Sequence, residues 1–204
     1  MNRLMTFGQD IRWRRDLIRR ADLAPREHLL DLGSGTGDLA REALRQQPQC
    51  LVVAADYTLG MMQVGRTCNR LDLSAADAQH LPFPVDHFDA VVSAFLMRNV
   101  LDVPLALGEQ YRTLKPGGRI LILDTTRPER SLLYPLVWLY LHMVIPILGG
   151  LVTGQRDAYS YLPESTAKFL YAEQLADAMR QAGFSEVGFR RRMFGTIATH
   201  WGIK

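Results

Sequence analysis

Cysteine is almost missing from this chain: Cys50 and Cys68 stand alone among 204 residues. Two thiols cannot build a disulfide framework, and neither has metal-ligand spacing with the five scattered histidines. The sequence therefore predicts a reducing environment, no metal, and two cysteines serving as buried apolar filler. Excess charge is missing too. The formal net charge is only +3, although Arg12, Arg14, Arg15, Arg19 and Arg20 crowd one early segment and Arg190, Arg191 and Arg192 run together near the end. No recognition motif or aromatic platform accompanies these arginines, which argues against a nucleic-acid partner and for a solvated basic face able to meet anionic lipid headgroups. Repeats, low-complexity tracts and linkers are absent, and 48% hydrophobic residues are ample for one core, hence one domain over 1–204. The amino-terminal segment is polar and arginine-rich rather than apolar, which predicts no signal peptide and a cytoplasmic protein.

One apolar tract breaks the pattern. Leu132 to Val152 is about as long as a membrane span, but Pro135 and Pro146 interrupt it and His142 sits inside it. It also lies between elements of a single sheet, which must stay on one side of a bilayer. A cap over residues 131–170, whose apolar face receives a lipid tail or dips into a membrane surface, fits better, with a packed core helix as the alternative.

The most telling stretch is Leu29-Leu30-Asp31-Leu32-Gly33-Ser34-Gly35-Thr36-Gly37-Asp38, an apolar strand running into a glycine loop and then a helix. Glycine at every second position lets backbone amides approach a ligand closely, and the helix start presents unpaired amides to it. The spacing G-x-G-x-G is tighter than the G-x-G-x-x-G of dinucleotide sites, which disfavours a nicotinamide oxidoreductase. A second apolar run, Leu51 to Ala55, ends in Asp56, nineteen residues after Gly37, where a carboxylate can accept from both ribose hydroxyls. Together they argue for an adenosyl ligand.

Along the chain, strand and helix periods alternate. Helices are predicted at about 10–21, 37–46, 58–69, 104–114 and 172–182, with strands at 29–33, 51–56, 71–75, 88–94 and 119–124 and a turn at Lys115-Pro116-Gly117-Gly118. Two closing strands, 187–193 and 196–201, are separated only by Phe194-Gly195, which predicts an antiparallel hairpin at the edge. The whole is an α/β fold: a mostly parallel seven-stranded sheet with helices on both faces. Asp77-Ala78 follows the third strand, and the strand 88–94 delivers Phe95 to Val100 at its carboxyl end, the edge where open α/β sheets bind ligands.

This order of elements resembles the Rossmann-like class I S-adenosylmethionine-dependent methyltransferases. The resemblance implies S-adenosyl-L-methionine as cofactor, with Asp31 near the sulfonium and amino group and Gly33, Gly35 and Gly37 along the methionine portion. Asp56 would then meet the ribose and Asp77 the adenine amine, with Ser34, Thr36, Tyr57, Met61, Ala78 and Ala94 completing the set. Phe95 to Asp102 (F-L-M-R-N-V-L-D) is more specific and resembles the ubiquinone and menaquinone C-methyltransferase family. So do Met1 to Gly8 with Trp13-Arg14, the tract Tyr159 to Ser165, and the closing G-x-x-x-x-H-x-G-x-K from Gly195 to Lys204. Leu96-Met97 stands where the family has Gly-Leu, and Asp124 where it often has glutamate, which leaves the acceptor ring open but not the cofactor. Family members also carry residues ahead of the first Met-Asn, with a Tyr-Asp pair near the substrate entrance, and such a segment is expected to help close the site.

The resemblance implies C-methylation of a polyprenyl quinol, peripheral at the inner face of the membrane, with a homodimer left open. Arg98 would stabilise the phenolate of the acceptor or polarise a water that takes its proton. Asn99 would orient that water or a quinol oxygen, and Tyr161, Asp124 and His200 are candidates for the proton path, while His142 reads as structural. Two rivals stay open: methylation of another amphiphile such as a phospholipid amine, and a non-catalytic S-adenosylmethionine-binding module.

Overall fold

The computed structural model describes residues 6, 8–58, 60–61, 71–127 and 169–204. Within them, side-chain alternation along the strands sorts the core into two layers, one on each side of a sheet. In β1 (His28–Leu32) Leu29 points into one layer and Leu30 and Leu32 into the other. The same division separates Val92 from Val91 in β4 (Phe88–Ala94), and Leu121 and Leu123 from Ile120 and Ile122 in β5 (Leu114–Thr125). Helices α1 (Gln9–Ala21) and α2 (Asp38–Gln46) cover the first layer with Trp13, Leu17, Leu39 and Ala43. Helices α3 (Val103–Thr113) and α4 (Ala172–Gln181) cover the second with Leu107, Leu175 and Met179.

With β2 (Leu51–Asp56), β3 (Asp72–Ala75), β6 (Ser185–Arg192) and β7 (Ile197–Ile203), the strands form one seven-stranded sheet in the order β3-β2-β1-β4-β5-β7-β6. β1 to β5 run parallel, and β7 lies antiparallel between β5 and β6. The order reverses between β1 and β4, which opens a crevice at their carboxyl ends.

Two expectations need correction. Lys115 to Gly118 do not form a free turn before a strand: β5 already begins at Leu114, opposite Phe88, and the pairing jumps to Ala90 with Arg119. The extra residues are held by Lys204, whose backbone N–H donates to Gly118 O at 2.9 Å while Gly117 N donates to Lys204 O at 2.9 Å. The early arginines are also not one solvated face. Arg20 stacks on the Trp201 ring at 3.5 Å and Arg14 turns inward with its side chain only 13% exposed. Near the end, Arg191 pairs with Glu173, and Arg192 lies 3.6 Å from Asp16. Charge along the edge strand β6 also discourages edge-to-edge pairing. The proposed helix 58–69 beyond Met61, the tract 132–152, His142, Cys68 and Tyr161 lie outside the described residues.

Candidate active site

The glycine loop begins where β1 ends. Gly33, Gly35 and Gly37 hold φ at +69°, +55° and +79°, a region that costs an ordinary L residue about 1–2 kcal/mol. A Cβ on Gly33 would stand 2.8 Å from Leu96 Cδ1. The loop folds back on β2, with the Gly33 and Ser34 amides donating to Ala55 O at 2.8 and 3.0 Å. Gly37 caps α2. Asp31 lies beneath this loop: its Oδ2 accepts from the Ala40 amide at 3.0 Å, inside the first turn of α2, and its Oδ1 has no partner among the described residues. Burial pushes its carboxyl up to about 7; the Ala40 N–H and the Arg14 guanidinium oppose the rise, and Asp38 and Asp56 add to it.

Asp56 closes β2 with both oxygens engaged, Oδ2 accepting from Gly35 N and Oδ1 from Thr58 N, each at 2.8 Å. A carboxylate has about four acceptor positions, so ribose hydroxyls can still be received there. Asp77 forms a tight local turn, accepting from the Gln79 amide through Oδ1 at 2.9 Å. The loop after it is pinned to α3, where Glu109 accepts from Leu81 N at 2.8 Å and Arg112 donates to the carbonyls of Phe83 and Leu81 at 2.8 and 3.0 Å.

Opposite the loop, β4 ends at Phe95 in a left-handed conformation, φ +63°, with its amide donating to Leu123 O at 2.7 Å. A short 3₁₀ turn, Met97–Asn99, then presents Arg98. The Arg98 amide donates to Asp124 Oδ2 at 3.3 Å, and its guanidinium lies 5.3 Å from the Phe95 ring centre. Its Nε and Nη1 are buried without a partner among the described residues. Asp124 is fully buried, and that burial holds its carboxyl above the usual range against the pull of Arg98.

Gly33, Ser34, Gly35, Thr36, Asp56, Tyr57, Met61, Asp77, Ala78, Ala94, Arg98 and Asn99 all border one cavity of about 1050 Å³. That is room for a cofactor and an acceptor ring together. Asp31, Gly37, Asp124 and His200 do not border it. His200 sits in mid-strand on β7, where its Nε2 meets Ala172 O at 2.9 Å, and burial pushes its pKa down to about 4. Asp10 and Arg14, which the sequence did not place at the site, border it as well. The i, i+4 spacing of Asp10 and Arg14 signalled a helical ion pair. Nothing local signalled that α1 reaches this edge.

A doubly wound sheet with a glycine loop, a strand-ending carboxylate and two arginines around one cavity at its carboxyl edge defines a Rossmann-like α/β protein with a ligand site at its strand-order reversal. The profile of the ubiE/COQ5 methyltransferase family matches residues 1–204. The chain is 42% identical to a ubiquinone/menaquinone biosynthesis C-methyltransferase UbiE of Desulfotalea psychrophila, a match covering all of this chain and 84% of that protein. It is also 42% identical to a demethylmenaquinone methyltransferase of Thermus thermophilus, covering 99% of this chain and 94% of the relative. Among solved structures, a Haemonchus contortus phosphoethanolamine N-methyltransferase 2 bound to S-adenosyl-L-methionine superposes with a TM-score of 0.70 at 15% identity. That match covers 95% of this chain and 52% of the other. An S-adenosylmethionine-dependent methyltransferase of Aquifex aeolicus gives 0.66 at 16% identity over 93% and 88%. These two likenesses concern the fold alone. The chain belongs to the ubiE/COQ5 methyltransferase family.

Proposed function

We propose that this methyltransferase moves a methyl group from S-adenosylmethionine to a ring carbon of a polyprenylated quinol, as a step of quinone biosynthesis. The relatives' names supply the reaction, and the observation that carries it to this chain is Arg98. Its guanidinium borders the cavity at the carboxyl end of β4, with two N–H groups unclaimed among the described residues. S-adenosylmethionine fits the site on its own features. The cradle is space that a Cβ at Gly33 would fill, Asp56 terminates the neighbouring strand, and Asp31 offers a buried unpartnered oxygen beside the loop.

When bound, that cofactor supplies an electrophilic methyl group on a sulfonium. The glycine loop with Asp56 and Asp77 would hold its adenosyl part. The chain's remaining task is to align the acceptor and raise the nucleophilicity of its ring carbon. Arg98 does the second by stabilising the oxygen anion next to that carbon. Arginine is not itself the base, because it stays protonated; the proton leaves to water. Asp124 acts through Arg98, fixing its backbone amide, and Asn99 stands beside it on the cavity rim. Tyr161 remains a candidate for the proton path, whereas the bond from His200 to Ala172 supports a structural role.

The tract 131–170 is the cap for the acceptor's tail. Its flanks support this: Thr126 Oγ1 and Arg127 N both donate to Leu170 O, at 3.2 and 3.4 Å, so the residues at either end of the tract meet just past the carboxyl end of β5. Among the described residues no helix is long and apolar enough to cross a membrane, and the tail is met by a peripheral contact with the lipid surface. Liposome flotation tests that contact, and sedimentation velocity tests a homodimer.

The deciding experiment is a methyl-transfer assay with labelled S-adenosylmethionine, offering demethylmenaquinol, a demethylated benzoquinol and phosphatidylethanolamine in parallel. A carbon-methylated quinol is expected and its mass names the ring. Label in the phospholipid alone would replace the quinol reading, and cofactor binding without turnover on any acceptor would leave a binding module.

A further inference from the structure

The helix α1, which the sequence presents as surface, brings a buried ion pair to the cavity. Asp10 is 1% exposed and accepts from Thr6 Oγ1 at 3.1 Å and from Arg14 Nε at 3.4 Å. Arg14 borders the cavity, with its guanidinium carbon 5.5 Å from the centre of the Phe95 ring. A guanidinium has five N–H donors in a fork suited to a carboxylate, and Asp10 engages only the one on Nε.

Apart from Arg14, the charged side chains that border the cavity at the glycine loop are acidic; Arg41 donates to Thr36 O at 2.5 Å and to Asp38 at 2.7 Å from outside the cavity. Asp10, Asp38 and Asp56 border the cavity there, with Asp31 beneath. Such a set welcomes an ammonium and a sulfonium and repels a carboxylate. S-adenosylmethionine carries all three groups at its amino-acid end. The cations bordering the cavity among the described residues are Arg14 and Arg98. Both guanidinium groups lie near the Phe95 ring, Arg14 at 5.5 Å and Arg98 at 5.3 Å, but Arg98 follows β4 with Asp124 whereas Arg14 interacts electrostatically with Asp31 under the loop.

We infer that Arg14 receives the carboxylate of the amino-acid end of S-adenosylmethionine, and that Asp10 is a positioning residue that holds the guanidinium by its Nε. The inference rests on S-adenosylmethionine being the donor. It makes α1 part of the cofactor site and leaves Arg98 free for the acceptor.

Calorimetric titration of the full chain with S-adenosylmethionine and with decarboxylated S-adenosylmethionine tests it without turnover. At a pH well above the midpoint of Asp31, so that its ionisation is the same in both chains, Arg14→Gln should weaken the carboxylate-bearing ligand about 10- to 100-fold, the loss of a charge-assisted hydrogen bond, and shift the decarboxylated one less than about threefold. Arg14→Met, a neutral variant of similar reach, serves if the glutamine variant does not fold. Asp10→Asn should show the same selectivity at smaller size. Equal weakening of both ligands, or none for the carboxylate-bearing one, overturns the assignment. Failure of the wild-type chain to bind either ligand overturns the donor reading itself and Arg14's role with it.

Discussion

Arg98 and Asp31 show how single side chains divide the labour of the site. Two nitrogens of Arg98 have no partner among the described residues; if they serve the acceptor, Arg98→Ala should keep the affinity for S-adenosylmethionine within about twofold while turnover falls at least about 100-fold. Calorimetry beside single-turnover rates checks this, and loss of binding together with rate would assign Arg98 to structure instead. If Asp31 receives the ammonium of S-adenosylmethionine it must be ionised, yet burial pushes it up to about 7. Affinity for S-adenosylmethionine should therefore climb as pH rises from 6 and level off above about 7, and Asp31→Asn should flatten that profile. Arg14, Asp38, Asp56 and the Ala40 amide are the groups that set this midpoint. In the ligand-free chain the sign reverses. Between 3.8 and about 7 the folded state binds a proton that the unfolded state has released, so this carboxyl makes the fold less stable as pH rises. The aspartate was legible in the sequence as the end of a strand, but its titration was not, because it depends on what α2 and α1 place around it.

Among the elements, the closing motif is the clearest case of a signature whose role is mechanical. His200 on β7 meets Ala172 O at the start of α4, Lys204 donates to Leu114 O and Asp86 Oδ1, both at 2.7 Å, and a Cβ on Gly202 would lie 3.2 Å from Phe184 Cβ. These contacts tie the terminal hairpin to α4 and to the start of β5. His200 is kept neutral, with its pKa near 4 against 6.5, so below pH 6.5 the unfolded chain binds the proton first and stability falls with falling pH. His200→Phe should remove that acid-side loss and, by taking away the second donor to Ala172 O beside its helical N–H, cost about 0.5–1.5 kcal/mol at neutral pH. Urea unfolding from pH 5 to 8 reads both effects. The reading along the chain located β1, β2, β4 and α2 to within a residue or two, since their apolar period and the glycines that end or cap them are neighbours in sequence. It missed the early start of β5, because what holds Leu114 to Gly118 in the sheet is Lys204, at the far end of the chain.

For the whole molecule, the strand order places the reversal point between β1 and β4, so that the loops after β1, β2, β3 and β4 converge on one cavity. Thr126, Arg127 and Leu170, which flank the tract 132–152, meet at the same edge. If that tract caps the acceptor's tail, deleting 132–152 from the full chain should abolish flotation with anionic liposomes and weaken long-tailed quinols while short-tailed analogues and S-adenosylmethionine bind as before. Unchanged binding of long-tailed quinols by a folded deletion variant would remove the cap from the mechanism.

The sequence by itself determined the α/β class, the order of elements, the glycine cradle with Asp56, and Arg98 at the end of a strand. Each of these is written in residues that adjoin one another, through the period of apolar positions and the backbone angles that only glycine adopts freely. Only the tertiary structure decided that Asp10 and Arg14 face the cavity, that Asp31 keeps an unpartnered oxygen, and that His200 is withdrawn from it. Those outcomes are set by segments far apart in the chain meeting across a sheet, where burial and charge follow from strand order rather than from any local pattern.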